Sequence, residues 1–363
     1  MKPAFSTLTT RPVANIVVSA ECGMKCSYCF ARDELQAQGK DHASRFISLD
    51  DFVERLDFLD RSDIREARLI GGEPTLHPLF PELIRLARER GKRIVVFSHG
   101  LISTSALECL AGLRPEECSV IVNTSATRVA GGPTADEDAA RLEVLKRLQS
   151  RALLGFTFER VDVRMDHLLP LILETGCRKR VRLGLSQPAP SGLNTHLNPK
   201  QYPALGRRIA EFAAEAAGIG VRLGFDCGFV RCMFSVSEIA TLRAAEADLD
   251  WRCNAVLDID LTGQALHCFP LAARLREPVD DSLNAGSLRS ALAERARPFR
   301  LAGVYRECSS CSTRADGGCS GGCLAVTMRR FRTTQPQAIA GPSRRSSEGV
   351  RLPRVRARGA VLE

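Results

Sequence analysis

The stretch Cys22-Gly-Met-Lys-Cys26-Ser-Tyr28-Cys29 carries three thiols with the spacing C-x3-C-x2-C and follows the apolar run 15–19. Three thiols on one loop after a predicted strand can converge on one soft metal centre. An iron–sulfur cluster normally takes four cysteines, so a set of three leaves one iron open to a small molecule. A structural zinc site is a poorer match, because tetrahedral zinc takes four protein ligands. The stretch therefore predicts an iron–sulfur cluster with a free coordination position.

The three-cysteine pattern resembles the signature of the radical S-adenosylmethionine (SAM) superfamily, in which an aromatic residue, here Tyr28, precedes the last cysteine. The resemblance covers about residues 13–325. It implies that Cys22, Cys26 and Cys29 hold a [4Fe–4S] cluster whose open iron binds SAM. It also implies an enzyme that reductively cleaves SAM to methionine and a 5′-deoxyadenosyl radical, which abstracts hydrogen from a substrate.

The order of predicted elements indicates an α/β fold. From residue 13 to about 186, strands and helices alternate, which is typical of a parallel sheet with crossover helices. The predicted strands are 14–19, 67–70, 93–98, 119–123, 153–158 and 180–186. This count agrees with the partial (β/α)6 TIM-like barrel that the resemblance implies. Functional groups should then lie at the carboxyl ends of the strands.

The SAM-binding groups are predicted at these strand ends. Gly71-Gly72-Glu73-Pro74 follows the second strand. The resemblance implies that this motif binds the SAM amino group, with glycine carbonyls and the Glu73 carboxylate as acceptors. Candidates for the ribose and carboxylate of SAM are Ser98, Asn123 and Ser125. Ser98-His99-Gly100 differs at two positions from the Thr-Asn-Gly of many relatives, which leaves the ribose contact open. No residue is predicted as a catalytic acid or base.

A second cysteine-dense region resembles the SPASM extension, which holds auxiliary iron–sulfur clusters. Its pattern is Cys253-x9-Gly263-x4-Cys268 followed by Cys308-x2-Cys311-x7-Cys319-x3-Cys323. It departs from the family in a spacer of seven residues where five is usual, and in lacking the last cysteine. We predict that two upstream cysteines compensate. The eight candidate auxiliary ligands are Cys227, Cys232, Cys253, Cys268, Cys308, Cys311, Cys319 and Cys323.

Eight thiols suit two four-cysteine clusters, and the alternative is one auxiliary cluster with the other thiols free or bound to zinc. Cys109, Cys118 and Cys177 lie within apolar patterns and are expected to be small buried residues.

Four regions follow from these assignments. They are a radical SAM partial-barrel core at 1–195, a linking helix and strand at 196–226, a SPASM-like auxiliary cluster domain at 227–330, and a basic, disordered tail at 331–363. The stretch 187–194 is rich in Pro, Gly and Ser and marks the end of the core. The tail lacks a periodic apolar face.

Composition bounds the location and the partners. Fourteen cysteines in a 363-residue chain without a leader-like start indicate metal ligation in a reducing compartment, so we expect a cytoplasmic protein. No run of about 18 apolar residues is present, so no membrane partner is expected. Residues 332–363 hold seven Arg against two Glu, which accounts for most of the net charge of +9. The remaining charge is too small to predict a nucleic-acid partner.

The substrate class follows only from the resemblance. Relatives with SPASM-like extensions mostly modify a ribosomal peptide or a protein side chain, so a peptide or protein is the expected substrate. The alternatives are a dehydrogenase of a small metabolite and, as a non-enzyme, an iron–sulfur carrier or redox sensor. Gly71-Gly72-Glu73-Pro74 counts against a carrier, which has no need of a SAM motif. Expected partners are an electron donor such as flavodoxin or ferredoxin and a separate leader-binding protein, since only about a dozen residues precede the first strand.

Overall fold

The computed structural model describes residues 13–41, 44–127 and 133–333. The predicted tail lies outside these residues from 334 onward, as do residues 1–12 of the predicted core. The strands are β1 (Ala14–Ser19), β2 (Glu66–Gly71), β3 (Arg93–Ser98), β4 (Cys118–Asn123), β5 (Ala152–Phe158), β6 (Arg180–Leu185), β7 (Arg222–Phe225), β8 (Leu257–Ile259), β9 (Gln264–Leu266) and β10 (Arg276–Pro278). The helices are α1 (Arg32–Asp41), α2 (Leu49–Arg61), α3 (Phe80–Glu89), α4 (Thr104–Ala111), α5 (Ala135–Leu148), α6 (Leu168–Thr175), α7 (Tyr202–Gly218), α8 (Val236–Ala244), α9 (Ala285–Arg300), α10 (Ser312–Ala315) and α11 (Leu324–Thr333).

One sheet organises the described part of the chain. Its order is β10-β9-β8-β1-β2-β3-β4-β5-β6-β7. The strands from β8 through β1 to β7 are all parallel, whereas β9 and β10 add antiparallel pairs at one edge. The sheet is not closed, because β7 and β10 end it on opposite sides. The predicted α/β partial barrel is therefore confirmed.

The strand sequences explain the layering. In β6, Val181, Leu183 and Leu185 are buried, while Arg182 and Gly184, which alternate with them, are only half-buried. Successive side chains of a strand point to opposite faces, so one face packs beneath the helices and the other lines the inside of the barrel. Helix α2 illustrates a local start signal, because Ser48 accepts a hydrogen bond from the backbone N–H of Asp51.

The sheet includes strands from the predicted linking region and from the predicted cysteine-rich extension. Strand β7, predicted within the link, pairs in parallel with β6 as a seventh barrel strand. Strand β8, from the cysteine-rich extension, pairs in parallel with β1. Asn15 Nδ2 donates to Asp258 Oδ1 across that pair at 2.7 Å. The extension is thus attached to the strand that leads into the three-cysteine loop.

Among the described residues, no helix has the length and apolar character that crossing a membrane requires.

Candidate metal and cofactor sites

The three-cysteine loop lies at the carboxyl end of β1. Cys26 is buried, Cys29 is half-buried and Cys22 is exposed. Backbone N–H groups point at two of the sulfurs, from Met24 to Cys22 Sγ at 3.4 Å and from Thr127 to Cys26 Sγ at 3.3 Å. Such hydrogen bonds favour the thiolate, which is the form that binds a metal.

Electrostatics of the loop favour a cationic centre. The pKa of the Cys22 thiol is raised to about 12, chiefly because protein atoms desolvate its sulfur; the nearby Glu73, Cys26 and Cys29 contribute, and the Met24 hydrogen bond opposes the rise. Burial also raises the pKa of Cys29. Adjacent thiolates in this position repel each other unless a metal centre supplies positive charge. The donor set therefore fits the predicted cluster, and the ligand assignment itself stays a prediction.

Glycine is required at positions 71 and 72, at the end of β2, because the backbone there lies directly against the backbone that leads into the cysteine loop. A Cβ on Gly71, whose φ is +151°, would lie 2.1 Å from Ser19 O, and one on Gly72 would lie 2.2 Å from Glu21 O. The backbones are also hydrogen-bonded, with Gly72 N–H donating to Ser19 O at 2.8 Å. Only glycine allows this approach. The motif that was predicted to bind SAM is therefore fixed beside the cysteine loop, and Pro74 is buried at the start of the following turn.

The Glu73 carboxylate is engaged inside the protein. Its side chain is fully buried. Oε1 accepts from the Thr75 hydroxyl at 2.7 Å and from Thr75 N–H at 3.2 Å, and Oε2 accepts from His99 N–H at 2.8 Å. The carboxylate thus joins the loop after β2 to the loop after β3. Contact between Glu73 and the SAM ammonium stays a prediction, and the structure adds this positioning role.

The other predicted SAM groups lie on adjacent strand ends. Asn123 Nδ2 donates to Tyr28 Oη at 3.1 Å, and the Ser125 hydroxyl accepts from Thr157 N–H at 2.9 Å. The buried Ser98 hydroxyl accepts from Gly100 N–H at 3.0 Å. The structure therefore links Tyr28 of the cysteine loop to the end of β4. Ser125 joins the loop after β4 to β5, and Ser98 acts within its own strand-end turn.

Arg141 is a site residue that the sequence analysis missed. It lies in α5 and is buried, at 2% exposure. Its Nε donates to His99 O at 2.9 Å, and a second guanidinium nitrogen donates to Ala126 O. It therefore holds together the loops after β3 and β4. An Arg on an amphipathic helix gives no local signal of such a role.

The barrel interior carries a charged layer below these loops. Arg182 is paired with Asp226 at 2.5 Å, so its mid-strand guanidinium is held within the barrel. Arg68 and Arg182 lie over the Phe97 ring, at 5.1 and 5.0 Å from its centroid. Gly184 borders this layer, because a Cβ there would lie in ordinary van der Waals contact with Thr157 Oγ1 at 3.8 Å and Asp226 Oδ2 at 3.9 Å.

Four thiols of the carboxyl third form a group that we call the first thiol set, Cys227, Cys253, Cys268 and Cys323. Burial raises the pKa of Cys227 well above its usual value, and Asp226 and then the charges of its three partners raise it further. The Cys227 residue as a whole is exposed. Arg300 donates to Cys253 Sγ at 3.4 Å.

Two buried polar groups beside the first thiol set lack protein partners. Both amide atoms of Gln187 and Nδ1 of His267 have none. Gln187 lies against the turn at Gly228, where a Cβ would approach its Nε2 to 2.4 Å and Cys323 Cβ to 3.7 Å. Buried polar groups are rarely left unpaired. Together with the all-cysteine donor set, they fit a cluster that offers sulfur acceptors at this place.

The remaining candidates form the second thiol set, Cys232, Cys308, Cys311 and Cys319. Burial raises the pKa of Cys232 to about 11, and the charges of Cys308, Cys319 and Cys311 add to it. Gly321 N–H donates to Cys319 Sγ at 3.3 Å. Cys109 lies in α4, Cys118 begins β4, and Cys177 lies between α6 and β6. Cys118 and Cys177 are buried as expected, whereas Cys109 is half-buried.

The thiols are not arranged around a single ion. In the described part of the chain, no three His, Cys, Asp or Glu side chains lie close enough to hold one metal ion. Cluster cysteines bind different irons and are spaced more widely than the ligands of one ion.

Comparison with known proteins identifies the domain that carries this geometry. Residues 16–152, which hold the cysteine loop, the glycine pair and strands β2 to β4, match the Radical SAM superfamily. This part of the chain is a radical SAM domain, and the family uses a [4Fe–4S] cluster and SAM.

Two curated relatives are similar over a short region. An S-adenosylmethionine-dependent nucleotide dehydratase of Thermoplasmatales archaeon (strain ISO4-H5) is 29% identical over 91 residues, which is 25% of this chain and 30% of that protein. A GTP 3′,8-cyclase of Chlorobaculum tepidum is 32% identical over 105 residues, which is 27% of this chain and 29% of that protein. The chain thus spans less than a third of either relative.

Solved structures share the fold over a longer span. SuiB of Streptococcus suis bound to precursor peptide SuiA has a TM-score of 0.59 at 15% identity, covering 88% of this chain and 73% of that one. Native anSMEcpe with bound AdoMet has a TM-score of 0.59 at 16% identity, covering 88% of this chain and 95% of that one. These similarities extend the shared fold beyond residue 152.

Proposed function

We propose that this protein is a radical SAM enzyme that modifies a ribosomally made peptide or a protein side chain. One observation carries the proposal: a three-thiol loop in close backbone contact with a glycine pair, in a chain that has eight further free cysteines between residues 227 and 323. When bound, the [4Fe–4S] cluster and SAM supply the 5′-deoxyadenosyl radical for hydrogen abstraction. Reduction of the cluster would need an electron donor such as flavodoxin or ferredoxin. We place the reaction in the cytoplasm.

The chain's own residues would orient SAM and shield it. Cys22, Cys26 and Cys29 would hold the cluster. The Gly71 and Gly72 carbonyls, fixed beside the cysteine loop, would accept from the SAM ammonium, while Asn123 would position the loop through Tyr28. Substrate would approach from the carboxyl ends of the strands, where these SAM-binding groups lie.

The peptide substrate is supported by the shared fold with SuiB, whose solved complex contains the precursor peptide SuiA. A separate leader-binding protein would bring such a peptide. The second candidate is a small metabolite, favoured by the two curated relatives, named for a nucleotide dehydratase and a GTP cyclase.

SAM cleavage is the first test. Anaerobically reconstituted protein with dithionite and SAM should release 5′-deoxyadenosine, measured by liquid chromatography and mass spectrometry. Cys26→Ala should abolish release, and Cys109→Ala, outside all candidate sites, should not. Release at the wild-type rate from a variant lacking Cys22, Cys26 and Cys29 would refute the proposal.

The substrate class needs a separate test. Cell extract from the source organism is divided by size, and each fraction is added to the reconstituted enzyme. A peptide substrate predicts faster 5′-deoxyadenosine release with a fraction whose effect protease treatment removes. If the stimulating fraction contains only molecules of about the size of a nucleotide or smaller, and protease treatment does not remove its effect, the substrate is a small metabolite.

A further inference from the structure

We propose that Arg68 and Arg182, which face the barrel interior, form a subsite that binds a negatively charged group of the substrate, a carboxylate or a phosphate. The proposal rests on the proposed function, because it names a chemical group of the substrate that the same site would modify. We call the two residues the guanidinium pair. An acidic side chain of a peptide and a phosphorylated metabolite would each supply such a group.

The strand pattern places the guanidinium pair inside the barrel. Arg68 is the third residue of β2 and Arg182 the third residue of β6, and the neighbours of each along its strand are fully buried beneath the helices. Both residues precede the last residue of their strand by three positions, which is about 10 Å at the rise of a β-strand. The pair therefore lies one layer below the strand-end loops that carry the predicted SAM-binding groups.

The aromatic ring of Phe97 orients both guanidiniums. Their central carbons lie 5.1 Å and 5.0 Å from the ring centroid. The electron-rich face of an aromatic ring attracts a guanidinium and restricts its rotation. Arg68 is fixed further, because its Nε donates to Asn15 Oδ1 at 3.0 Å. Two like charges are thereby held beside one ring, and an anion between them would offset their repulsion.

The protein satisfies only part of the hydrogen-bonding capacity of the pair. Within the described residues, Asp226 is the one ion-pair partner of Arg182, and it contacts Nη2 at 2.5 Å. Glu66 contacts Arg68 at 3.2 Å, but this carboxylate also pairs with Arg93 at 2.8 Å. A guanidinium has five N–H donors. Donors of both arginines are therefore left for a ligand.

Solvent reaches this layer from within the barrel. The side chains of Arg182 and Asp226 are 34% and 39% exposed, and that of Arg68 is 19% exposed. A substrate group could therefore contact Arg182 first, in competition with Asp226. The planar fork of a guanidinium matches two oxygens of a carboxylate or a phosphate, which explains why arginine rather than lysine suits this position.

Binding of defined anions to the reconstituted protein tests the proposal. The protein is kept with SAM and without a reductant, so that the SAM site is filled and SAM is not cleaved. Inorganic phosphate and N-acetylglutamate amide are titrated by calorimetry, with N-acetylglutamine amide as an uncharged control of the same shape. Wild-type protein should bind at least one of the two anions with a dissociation constant of about 1–10 mM, and the uncharged control more weakly.

Substitutions on the two sides of the ion pair should act in opposite directions. Arg182→Gln and Arg68→Gln should each weaken anion binding ~10-fold or more, because each removes charge-assisted hydrogen bonds. Asp226→Asn should instead tighten it ~2- to 5-fold, because it removes the carboxylate that competes for Arg182. A purely structural ion pair would not produce this difference of sign. Arg147→Gln, at an exposed position of α5, is the control and should leave binding unchanged.

Iron content and the thermal unfolding midpoint report that each variant is folded. If Arg182→Gln unfolds, Arg182→Lys takes its place, because lysine keeps the charge without the fork and should still bind the anion more weakly. Tighter binding of phosphate would indicate a phosphorylated metabolite, and tighter binding of the glutamate amide would indicate an acidic peptide.

Four results would overturn the proposal. They are no binding of either anion below about 50 mM, equal affinity for the uncharged control, equal affinity in wild type and Arg182→Gln, and no tightening in Asp226→Asn. In each case, 5′-deoxyadenosine release that depends on Cys26 would still be observed with the wild-type protein. Failure of the anion subsite is therefore distinguishable from failure of the proposed function.

Discussion

Replacing Glu73 by Gln separates the two roles that this residue has in the sequence and in the structure. The amide keeps the shape of the side chain, but its NH2 group would face donors, either at Thr75 or at the His99 N–H. Hydrogen bonds to a charged group contribute about 1.5–3 kcal/mol, so the free energy of unfolding should fall by about that amount. If the carboxylate also contacts the SAM ammonium, SAM affinity should fall ~10- to 100-fold with the loop cluster retained.

The assay combines the thermal unfolding midpoint of the reconstituted protein with the SAM dissociation constant from calorimetry. Thr75→Val is the matched control, because it removes one donor to Glu73 and leaves the charge. It should lower the free energy of unfolding by about 1.5–3 kcal/mol and leave SAM affinity unchanged. An unchanged midpoint for Glu73→Gln would refute the positioning role. An unchanged SAM dissociation constant would refute the ligand role.

Two further substitutions test how the loops are held. Gly72→Ala should prevent assembly of the loop cluster while the iron of the carboxyl third remains, because the new Cβ would lie 2.2 Å from Glu21 O. Gly23→Ala is the control, because a Cβ there would have nothing within 4 Å, and iron content is measured for both variants. Arg141→Met should lower the free energy of unfolding by about 2–6 kcal/mol and weaken SAM binding, because it leaves two buried carbonyls unpaired at about 1–3 kcal/mol each. The exposed Arg147→Met in the same helix should change neither quantity, and equal midpoints for both variants would contradict this account.

Much of the barrel was predictable because its strands carry local patterns. Strands 14–19 and 93–98 were predicted with their observed bounds, since each is an apolar run bounded by turn residues. Helix α1 was missed because its sequence is polar, and it shows no strong apolar stripe. The pairing of β8 with β1 was also missed, because it joins residues 243 positions apart, as Asn15 and Asp258 are, and no local pattern encodes such a partner.

The candidate sites divide in the same way. The three-cysteine loop and the glycine motif have fixed spacing, so their sequence is sufficient to predict them. The eight auxiliary candidates could be counted from sequence, yet their division into two sets depends on distant contacts such as that between Gly228 and Cys323. The internal hydrogen bonds of Glu73 and the bridging role of Arg141 likewise depend on which strand ends become neighbours.

The pairing of β8 with β1 has a consequence for dividing the protein into fragments. Without β8, strand β1 would lie at the edge of the sheet and present unpaired backbone groups to other chains. A fragment that stops before residue 257 would keep the three-cysteine loop and the glycine motif but expose this edge. Such a fragment should self-associate through β1 rather than persist as a miniature of the barrel. By pairing with β1, strand β8 of the cysteine-rich extension therefore also protects the strand that carries the three-cysteine loop from pairing with other chains.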